Sequence, residues 1–209
     1  MKTLFLSSLV AIVGLAFLWV GTDGGRAFTA ETARRLEVRE HPRVVPNWHL
    51  EDQNASVLAL GDWHGRYIVV DFIYTNCPDV CLTLDSGMQN LQQEFKEAVA
   101  KNKLRFLSIS FDPKHDTPER LRTHLSHFSG DGGHWVAARP THPIEKEAIL
   151  NFFKVKVIPD GRGGYTHTAA YHVINPQGRL VAIFGVEELP KLQDYLAMAL
   201  AGGATSEAG

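Results

Sequence analysis

Two cysteines, Cys77 and Cys81, stand four residues apart at the end of an apolar run. The run, residues 67–74, is dominated by Val, Ile, Phe and Tyr, which is typical of a strand buried on both faces. The following Asn76 and Pro78 predict a turn and then a helix that begins at Pro78. Both thiols then lie on one side of this helix, and its unpaired backbone N–H groups favour a thiolate at Cys77. Such a pair could bind a soft metal ion or carry out thiol–disulfide exchange.

The helical spacing also decides whether the two cysteines can form a disulfide. Their Cα atoms would lie about 6 Å apart, near the upper end of the range in which disulfides form. We therefore expect a Cys77–Cys81 disulfide that is strained and easily reduced. Two cysteines in 209 residues do not make a disulfide framework, so the sequence favours a redox pair or a metal site over a purely structural pair.

The overall composition is that of an ordinary globular protein, 44% hydrophobic and 21% charged. A formal net charge of -2 gives no basic surface of the kind that binds nucleic acid, so we expect no nucleic-acid partner. With three methionines, the chain is also unlike a methionine-rich copper carrier. The length and composition predict one domain preceded by an N-terminal extension.

The N-terminal extension contains an uncharged apolar run at residues 4–20, which is long enough to span a bilayer. This length favours a membrane anchor over a cleaved signal peptide, although residues 25–27 offer small side chains suited to cleavage. We therefore assign residues 1–22 to a transmembrane anchor or signal segment, 23–44 to a tether, 45–203 to the folded domain and 204–209 to a flexible tail.

Strand and helix patterns alternate along the domain. In order, the sequence predicts a hairpin over residues 48–60, the strand at 67–74, the cysteine helix, a strand at 104–111, a helix after Asp116, a strand at 135–138, a helix at 144–153, an antiparallel hairpin at 169–174 and 179–184, and a last helix from about 187. Such alternation predicts an α/β fold with a mixed central sheet flanked by helices, in the layout of thioredoxin-like proteins. The dithiol then lies at the carboxyl end of the central strand, where open α/β sheets bind ligands.

Three ordered motifs carry a family resemblance: Thr-Asn-Cys-Pro-Asp-Val-Cys at residues 75–81, Ser-Phe-Asp-Pro-Lys-His-Asp-Thr-Pro-Glu at residues 110–119, and His167-Thr168 followed by Pro176. With these motifs the domain resembles the Sco/SenC proteins, thioredoxin-fold factors for copper delivery to cytochrome c oxidase. The resemblance implies that Cys77, Cys81 and His167 bind one copper ion, as Cu(I) or Cu(II).

The resemblance also implies partners and a location. The expected acceptor is the CuA site of cytochrome c oxidase subunit II, and other copper chaperones or thiol reductants are expected as further partners. The expected location is the inner membrane of a bacterial cell, with a single membrane span at the N-terminus and the soluble domain in the periplasm.

The chain departs from the family pattern at three positions. Leu82 replaces a second proline, Thr166 replaces an aspartate that commonly precedes the histidine, and His172 occupies a position that is usually tyrosine. The expected copper ligands are retained. Without an acidic side chain at residue 166, His167 is expected to lose a carboxylate that tunes its metal binding.

The same two cysteines support an alternative, enzymatic function. A thiol–disulfide oxidoreductase that reduces the CuA-site cysteines of the acceptor would use Cys77 as the nucleophile and Cys81 as the resolving thiol, with a redox-active disulfide between them. Such exchange does not require His167, so this residue discriminates between the two functions. A thiol peroxidase and a copper sensor are further alternatives, and we expect a carrier rather than an enzyme.

Other polar residues are weaker candidates. Asp112 ends the second parallel strand at the same sheet edge as the dithiol, and it is expected either to orient His167 or a copper-bound partner or simply to close the strand in an Asp-Pro turn. Alternation along the strand places His172 on the face opposite to that of His167, so we expect His172 to be a packed or surface residue. His124 and His127, three apart on a helix, could clamp a metal, but no third ligand is evident and we expect both to be solvated.

Overall fold

The structure describes only part of the N-terminal extension. The structure, a computed structural model, describes residues 13–14, 30–77, 80–128 and 133–202. The predicted anchor or signal segment at 1–22 therefore lies outside the described residues except for 13–14, and the predicted tail at 204–209 lies outside them entirely. Among the described residues, none of the helices combines the length and the hydropathy that a membrane crossing requires.

The described residues form strands and helices in alternation. The helices are α1 (Ala30–Glu40), α2 (Val80–Glu94), α3 (Lys96–Ala100), α4 (Pro118–His127), α5 (Pro143–Phe153) and α6 (Leu189–Gly202), with short 3-10 turns at Leu60–Trp63 and Val186–Glu188. The strands are β1 (Arg43–Val44), β2 (His49–Asp52), β3 (Val57–Ala59), β4 (Tyr67–Ile73), β5 (Leu104–Ser110), β6 (Trp135–Pro140), β7 (Val157–Pro159), β8 (Tyr165–His167), β9 (Ala170–Ile174) and β10 (Arg179–Gly185).

Eight of the strands form one mixed sheet in the order β1-β10-β9-β4-β5-β6-β2-β3. The three inner strands β4, β5 and β6 are parallel, and the other neighbouring pairs are antiparallel. The register pairs Ile73 with Ser110, so the carboxyl ends of β4 and β5 meet at one edge of the sheet. This edge is where the sequence places the dithiol, and the predicted mixed α/β sheet is confirmed.

The central strand is buried as its composition predicts. All residues of β4 after Tyr67 are buried, because strands lie on both sides of it and helices cover the sheet faces. Leu84, Met88 and Leu91 of α2 are fully buried, and α2 packs against β4. Burial of each of these side chains contributes about 1.5–3 kcal/mol, so the helix that carries Cys81 is held firmly on the sheet.

The segment predicted to be a tether contains regular structure. The chain divides into two compact units, Met1–Pro42 and Arg43–Gly209, and residues 30–40 of the first unit form α1. This segment lacks apolar periodicity, but Ala, Glu, Arg and Leu are strong helix formers and Glu31 pairs with Arg34 and Arg35 one turn away. In the second unit, Arg43 and Val44 already pair with β10, two residues before the predicted start of the domain.

Helix α2 contacts Tyr171 of strand β9 at Gly87, and this contact can be tested. The Tyr171 hydroxyl donates a hydrogen bond to the Leu84 carbonyl at 3.2 Å and lies where a side chain on Gly87 would project. Gly87→Ala should lower the free energy of unfolding by about 1–3 kcal/mol because a methyl group overpacks this contact, although alanine favours a helix by about 1 kcal/mol over glycine. Urea unfolding measures the change.

The matched control repeats the substitution in a Tyr171→Phe background. Removing the hydroxyl removes the atom nearest to the new methyl group and leaves the ring carbon Cζ at 2.9 Å from the position that the alanine Cβ would occupy. The cost of Gly87→Ala should therefore be smaller in that background. An equal cost in both backgrounds would contradict the steric explanation.

Candidate metal centre

The two cysteines occupy the junction between strand β4 and helix α2. Cys77 lies in the loop after β4 and is half-buried, whereas Cys81 lies in the first turn of α2 and is fully buried. The Cys81 N–H donates a hydrogen bond to the Cys77 sulfur at 3.3 Å, which satisfies one of the backbone donors that a helix start leaves unpaired. The predicted helix start at Pro78 lies outside the described residues, which resume within the helix at Val80.

The third candidate ligand, His167, arrives on a separate element. It ends β8, which pairs with β7 in a two-stranded sheet of their own, whereas the sequence pattern suggested one continuous strand from His167 into residues 169–173. The His167 Nε2 lies 3.5 Å from the Cys81 sulfur. The two sulfurs and a ring nitrogen of His167 all lie within 4.8 Å of one another. Segments almost ninety residues apart in the chain thus meet at one point.

The ring of His167 is oriented for binding through Nε2. Its Nδ1 lies 3.2 Å from the Thr168 carbonyl, and because a carbonyl can only accept, Nδ1 carries the proton. Nε2 then presents its lone pair towards Cys81. Burial lowers the pKa of His167, with the Thr168 hydrogen bond opposing this effect, so the imidazole is neutral at neutral pH. The carbonyl of Thr168 thereby orients the ring in place of the missing acidic side chain at residue 166.

Burial has the opposite consequence for the second thiol. Burial, together with a hydrogen bond from the Cys81 thiol to Cys77 and the charge of nearby groups, raises the pKa of Cys81 well above its usual range. Cys81 is therefore a protonated thiol at neutral pH, and a metal ion that binds its sulfur has to displace the proton. Cys81 and His167 are therefore both neutral in the metal-free protein.

An aromatic shell surrounds His167 on the protein side. The ring of Phe111 lies 4.9 Å from the imidazole, and Tyr74 and Tyr165 pack on Phe111 and on each other at 5.2–5.6 Å between ring centroids. The Tyr74 hydroxyl also accepts a hydrogen bond from the Tyr165 N–H. A cavity of about 490 Å³ is lined by Tyr74 and Tyr165 of this shell and reaches Cys77 and His167. The shell fixes the imidazole, and the cavity leaves Cys77 and His167 accessible.

The carboxylate that organises this edge of the sheet is Asp116, which the sequence patterns did not single out. It is buried and accepts hydrogen bonds from the Thr75 N–H at 3.2 Å, the Thr75 hydroxyl at 2.6 Å and the Ser110 hydroxyl at 2.5 Å. Asp116 therefore ties the end of β5 to the loop that presents Cys77. The motif at residues 110–119 contains Asp116 and could have pointed to a role for it. Its partner Thr75 lies 41 residues away in the chain, so the contact cannot be read from the motif.

In the structure, the side chain bonded to Asp112 is His115. The Asp112 carboxylate bonds to Nδ1 of this exposed histidine, at 2.9 and 3.0 Å. The spacing of three residues in a turn makes His115 the local partner, and the Thr168 carbonyl has already taken the corresponding nitrogen of His167. This contact suits the strand-closing interpretation of the Asp-Pro pair, and a role of Asp112 towards a copper-bound partner stays a prediction.

Three further histidines differ in how well the sequence predicted them. His172 is fully buried and packs edge-on against Phe72 and Phe153, as the packed-residue interpretation expected. The expectation that His124 is solvated is wrong, because its Nε2 bonds to Asp85 at 2.8 Å and only 10% of its side chain is exposed. His127 is exposed as predicted.

The sequence and the fold of this chain are similar to those of known proteins. A family model described as SCO1/SenC matches residues 37–199. The SCO1 protein homolog of Bacillus subtilis (strain 168) is 26% identical over 181 residues, which cover 85% of this chain and 88% of that protein. The structure of Bradyrhizobium japonicum ScoI with copper bound is similar with a TM-score of 0.60 at 27% identity, covering 73% of this chain and 98% of that one.

A third comparison concerns the fold. BsSco, described as a member of the Sco family of cytochrome c oxidase assembly proteins with a disulfide switch, has a TM-score of 0.64 at 22% identity, covering 76% of this chain and 94% of that one. The likeness confirms the thioredoxin-like fold that the alternation of strands and helices predicts. The chain that carries Cys77 and Cys81 therefore has the same fold as that protein.

The role of Asp116 can be tested against Asp112, its neighbour in the same motif. Asp116→Ala should lower the free energy of unfolding by about 3 kcal/mol, because each buried donor left without an acceptor costs about 1–3 kcal/mol. Asp112→Ala should cost less than about 1 kcal/mol, because its partner His115 is exposed and can bond to water. Urea unfolding of the two variants measures the difference, and equal losses would show that Asp116 has no special role.

Proposed function

Because the chain belongs to the SCO1/SenC family, we propose that it is a copper chaperone that binds one copper ion and delivers it to the CuA site of cytochrome c oxidase subunit II during assembly. Its ligands are the sulfurs of Cys77 and Cys81 and the Nε2 of His167. The observation that carries this proposal is the convergence of these three atoms, from separate segments, within 4.8 Å of one another. A relative with bound copper, the ScoI of Bradyrhizobium japonicum, supports the choice of metal.

The donor set suits copper as a cargo. Thiolate sulfur and imidazole nitrogen are preferred by Cu(I), and the same ligands also bind Cu(II). Three protein ligands leave one side of the ion open to a ligand from an acceptor. As copper binds, Cys81 gives up its proton and the neutral His167 needs no deprotonation, so affinity rises with pH.

The exposure of the ligands suggests an order of release. Cys77 is half-buried and borders the open cavity, whereas Cys81 is fully buried. An acceptor ligand can therefore reach the ion first on the side of Cys77. Exchange of that sulfur for an acceptor sulfur or nitrogen, followed by the other two ligands, moves copper without leaving it free in solution.

The same asymmetry supports thiol–disulfide exchange as a second candidate function. The accessible Cys77 thiolate can attack a disulfide of the CuA-site cysteines and form a mixed disulfide, with release of one acceptor thiol. The buried Cys81 sulfur, within 4.8 Å, then displaces the second acceptor thiol and closes a Cys77–Cys81 disulfide. The acceptor is reduced by two electrons and this protein is oxidised, and an external thiol reductant restores it. Other copper chaperones would supply the metal.

The N-terminal sequence supports a proposal about location. The apolar run at residues 4–20 suits a single-pass anchor in the bacterial inner membrane, and residues 23–44, which include α1, would join it to the domain. We place the domain in the periplasm, where an acceptor CuA site would be within reach.

The location is tested by cell fractionation of the full-length chain. The protein should stay with inner membranes after a carbonate wash, and protease added to spheroplasts should digest the domain. A variant that begins at residue 23, behind an unrelated cleavable signal, should be found in the soluble periplasmic fraction. Recovery of the full-length chain in the cytoplasm would contradict both the location and the delivery proposal.

Copper binding is tested by competition with a Cu(I) chelator on the reduced full-length protein. We expect one ion per chain. His167→Ala should lower the affinity tenfold or more, which corresponds to about 1.4 kcal/mol, because one of three ligands is lost. Cys81→Ser should lower it further, since a thiolate is the stronger ligand for a soft ion. His142→Gln, which changes an exposed histidine, is the control and should have no effect.

Thiol–disulfide exchange, the second candidate function, predicts a different copper affinity for the same variants. If His167→Ala bound copper as tightly as the parent, while the reduced protein rapidly reduced a disulfide in a peptide with the acceptor cysteines, exchange would replace delivery as the function. If neither activity were found, both proposals would fail.

A further inference from the structure

A second cavity reaches Cys77 from the side of helix α4. It has a volume of about 700 Å³, and its lining includes Thr75, Cys77, Glu119, Arg120, His124 and His127. Among the described residues that line the first cavity, Cys77 alone also lines this one. Cys77 therefore lies between the cavity that contains His167 and a cavity that contains a histidine pair.

The first member of the pair, His124, has the surroundings of a metal-binding histidine. Its Nε2 bonds at 2.8 Å to the carboxylate of Asp85, which is fully buried in helix α2. A histidine that binds a metal through one ring nitrogen commonly donates its other N–H to such a carboxylate. With the Nε2 proton directed at Asp85, Nδ1 of His124 holds a lone pair, and the structure shows no partner for Nδ1 among the described residues.

The second member, His127, is placed by helix geometry. It follows His124 by three residues in α4, a spacing at which side chains share one face of a helix. His127 is exposed, so its imidazole is free to turn towards the cavity. Imidazole nitrogens bind copper in either oxidation state, so the pair is chemically suited to the cargo proposed for the neighbouring site.

We propose that His124 and His127 form a second, weaker copper site that receives the ion and passes it to Cys77. The inference rests on the proposed copper-carrier function for its biological meaning, but the site itself does not depend on it. Asp85 is a positioning residue, because it acts on the ion only through the ring of His124.

The histidine pair is expected to bind copper weakly, because an entry site has to release the ion to the next site. In the described parts of the chain, Cys77, Cys81 and His167 are the only three histidine, cysteine or carboxylate ligands grouped closely enough to hold a metal. The histidine pair therefore supplies two ligands and water supplies the rest. The rim carries one charge of each sign, Glu119 and Arg120, so it neither attracts nor repels a cation strongly.

The transfer from this site is a ligand exchange without electron transfer. A copper–sulfur bond to Cys77 forms as the copper–nitrogen bond to His127 breaks, and any proton on the Cys77 sulfur passes to solvent. A bond to Cys81, whose thiol proton passes to solvent, and a bond to His167 then replace the remaining bond to His124. Copper keeps its oxidation state throughout, and the ion ends in the site with three ligands.

The His124/His127 site is first tested in a variant that lacks the site formed by Cys77, Cys81 and His167. In a Cys77→Ser/Cys81→Ser/His167→Ala variant, one equivalent of aqueous Cu(II) should give an electron paramagnetic resonance spectrum with nitrogen hyperfine coupling. Adding His127→Gln should weaken Cu(II) binding tenfold or more, and Asp85→Asn should weaken it similarly by releasing the ring of His124. Adding His142→Gln should leave it within twofold of the parent.

A second measurement covers the case in which the triple substitution unfolds the protein. Wild-type protein loaded with one equivalent of Cu(I) should bind one further Cu(II) ion with the same nitrogen-coupled spectrum, and His127→Gln should remove it. Unchanged Cu(II) binding in His127→Gln, in either background, would overturn the proposal, because the ion would then lie on other histidines.

Loading kinetics separate this proposal from the copper-carrier function. With a Cu(I)–chelator complex as donor, the rate at which copper–thiolate absorption appears should fall several-fold in His127→Gln, while the final stoichiometry stays at one ion. An unchanged rate would remove the entry role and leave the carrier function intact. If the wild type acquired no copper–thiolate absorption, the carrier function would fail, whatever the histidine pair bound.

Discussion

The hydrogen bonds of one buried carboxylate hold the functional edge of this protein together. Asp116 accepts from the Thr75 backbone and from the hydroxyls of Thr75 and Ser110, so it joins the ends of the two central parallel strands. The loop from Thr75 leads directly to Cys77 and into helix α2. Without this anchor the first cysteine would be carried on a loop fixed only at its ends, and its distance from His167 would not be defined.

Burial sets the chemical state of the site that this anchor supports. Taking a histidine and a thiol out of water favours their neutral forms, so His167 is an unprotonated imidazole and Cys81 a protonated thiol. No uncompensated charge then has to be buried in the metal-free protein. A cation that enters exchanges with the Cys81 proton, and this exchange makes occupancy responsive to pH as well as to the concentration of copper.

Among the described residues, Cys77 is the one that borders both cavities next to the site. It borders the cavity of the hairpin that carries His167 and the cavity of helix α4 with its two histidines. Access from two directions suits a protein that takes an ion from one partner and gives it to another, because the incoming and outgoing ligands need not compete for the same space. The full burial of Cys81 keeps the second sulfur out of reach from either direction.

The sequence by itself determined the elements and the chemistry that they carry. The apolar run of β4, the helix that carries Cys81 just after that run, the parallel core and the final hairpin follow from periodicity and turn chemistry, which act over a few residues. The membership of His167 in the site came from a resemblance of motifs. Helix α1 was missed because its stability comes from helix propensity and from ion pairs, neither of which produces an apolar pattern.

Only the tertiary structure decided which groups orient the site. Asp116 rather than Asp112 supports the cysteine loop, the Thr168 carbonyl orients His167, and Asp85 withdraws His124 from solvent. Each of these contacts depends on the direction of a side chain or carbonyl, and those of Asp116 and Asp85 join elements that are distant in the sequence. Hydrogen bonds need alignment to within a fraction of an ångström, and that alignment exists only after the helices have packed on the sheet.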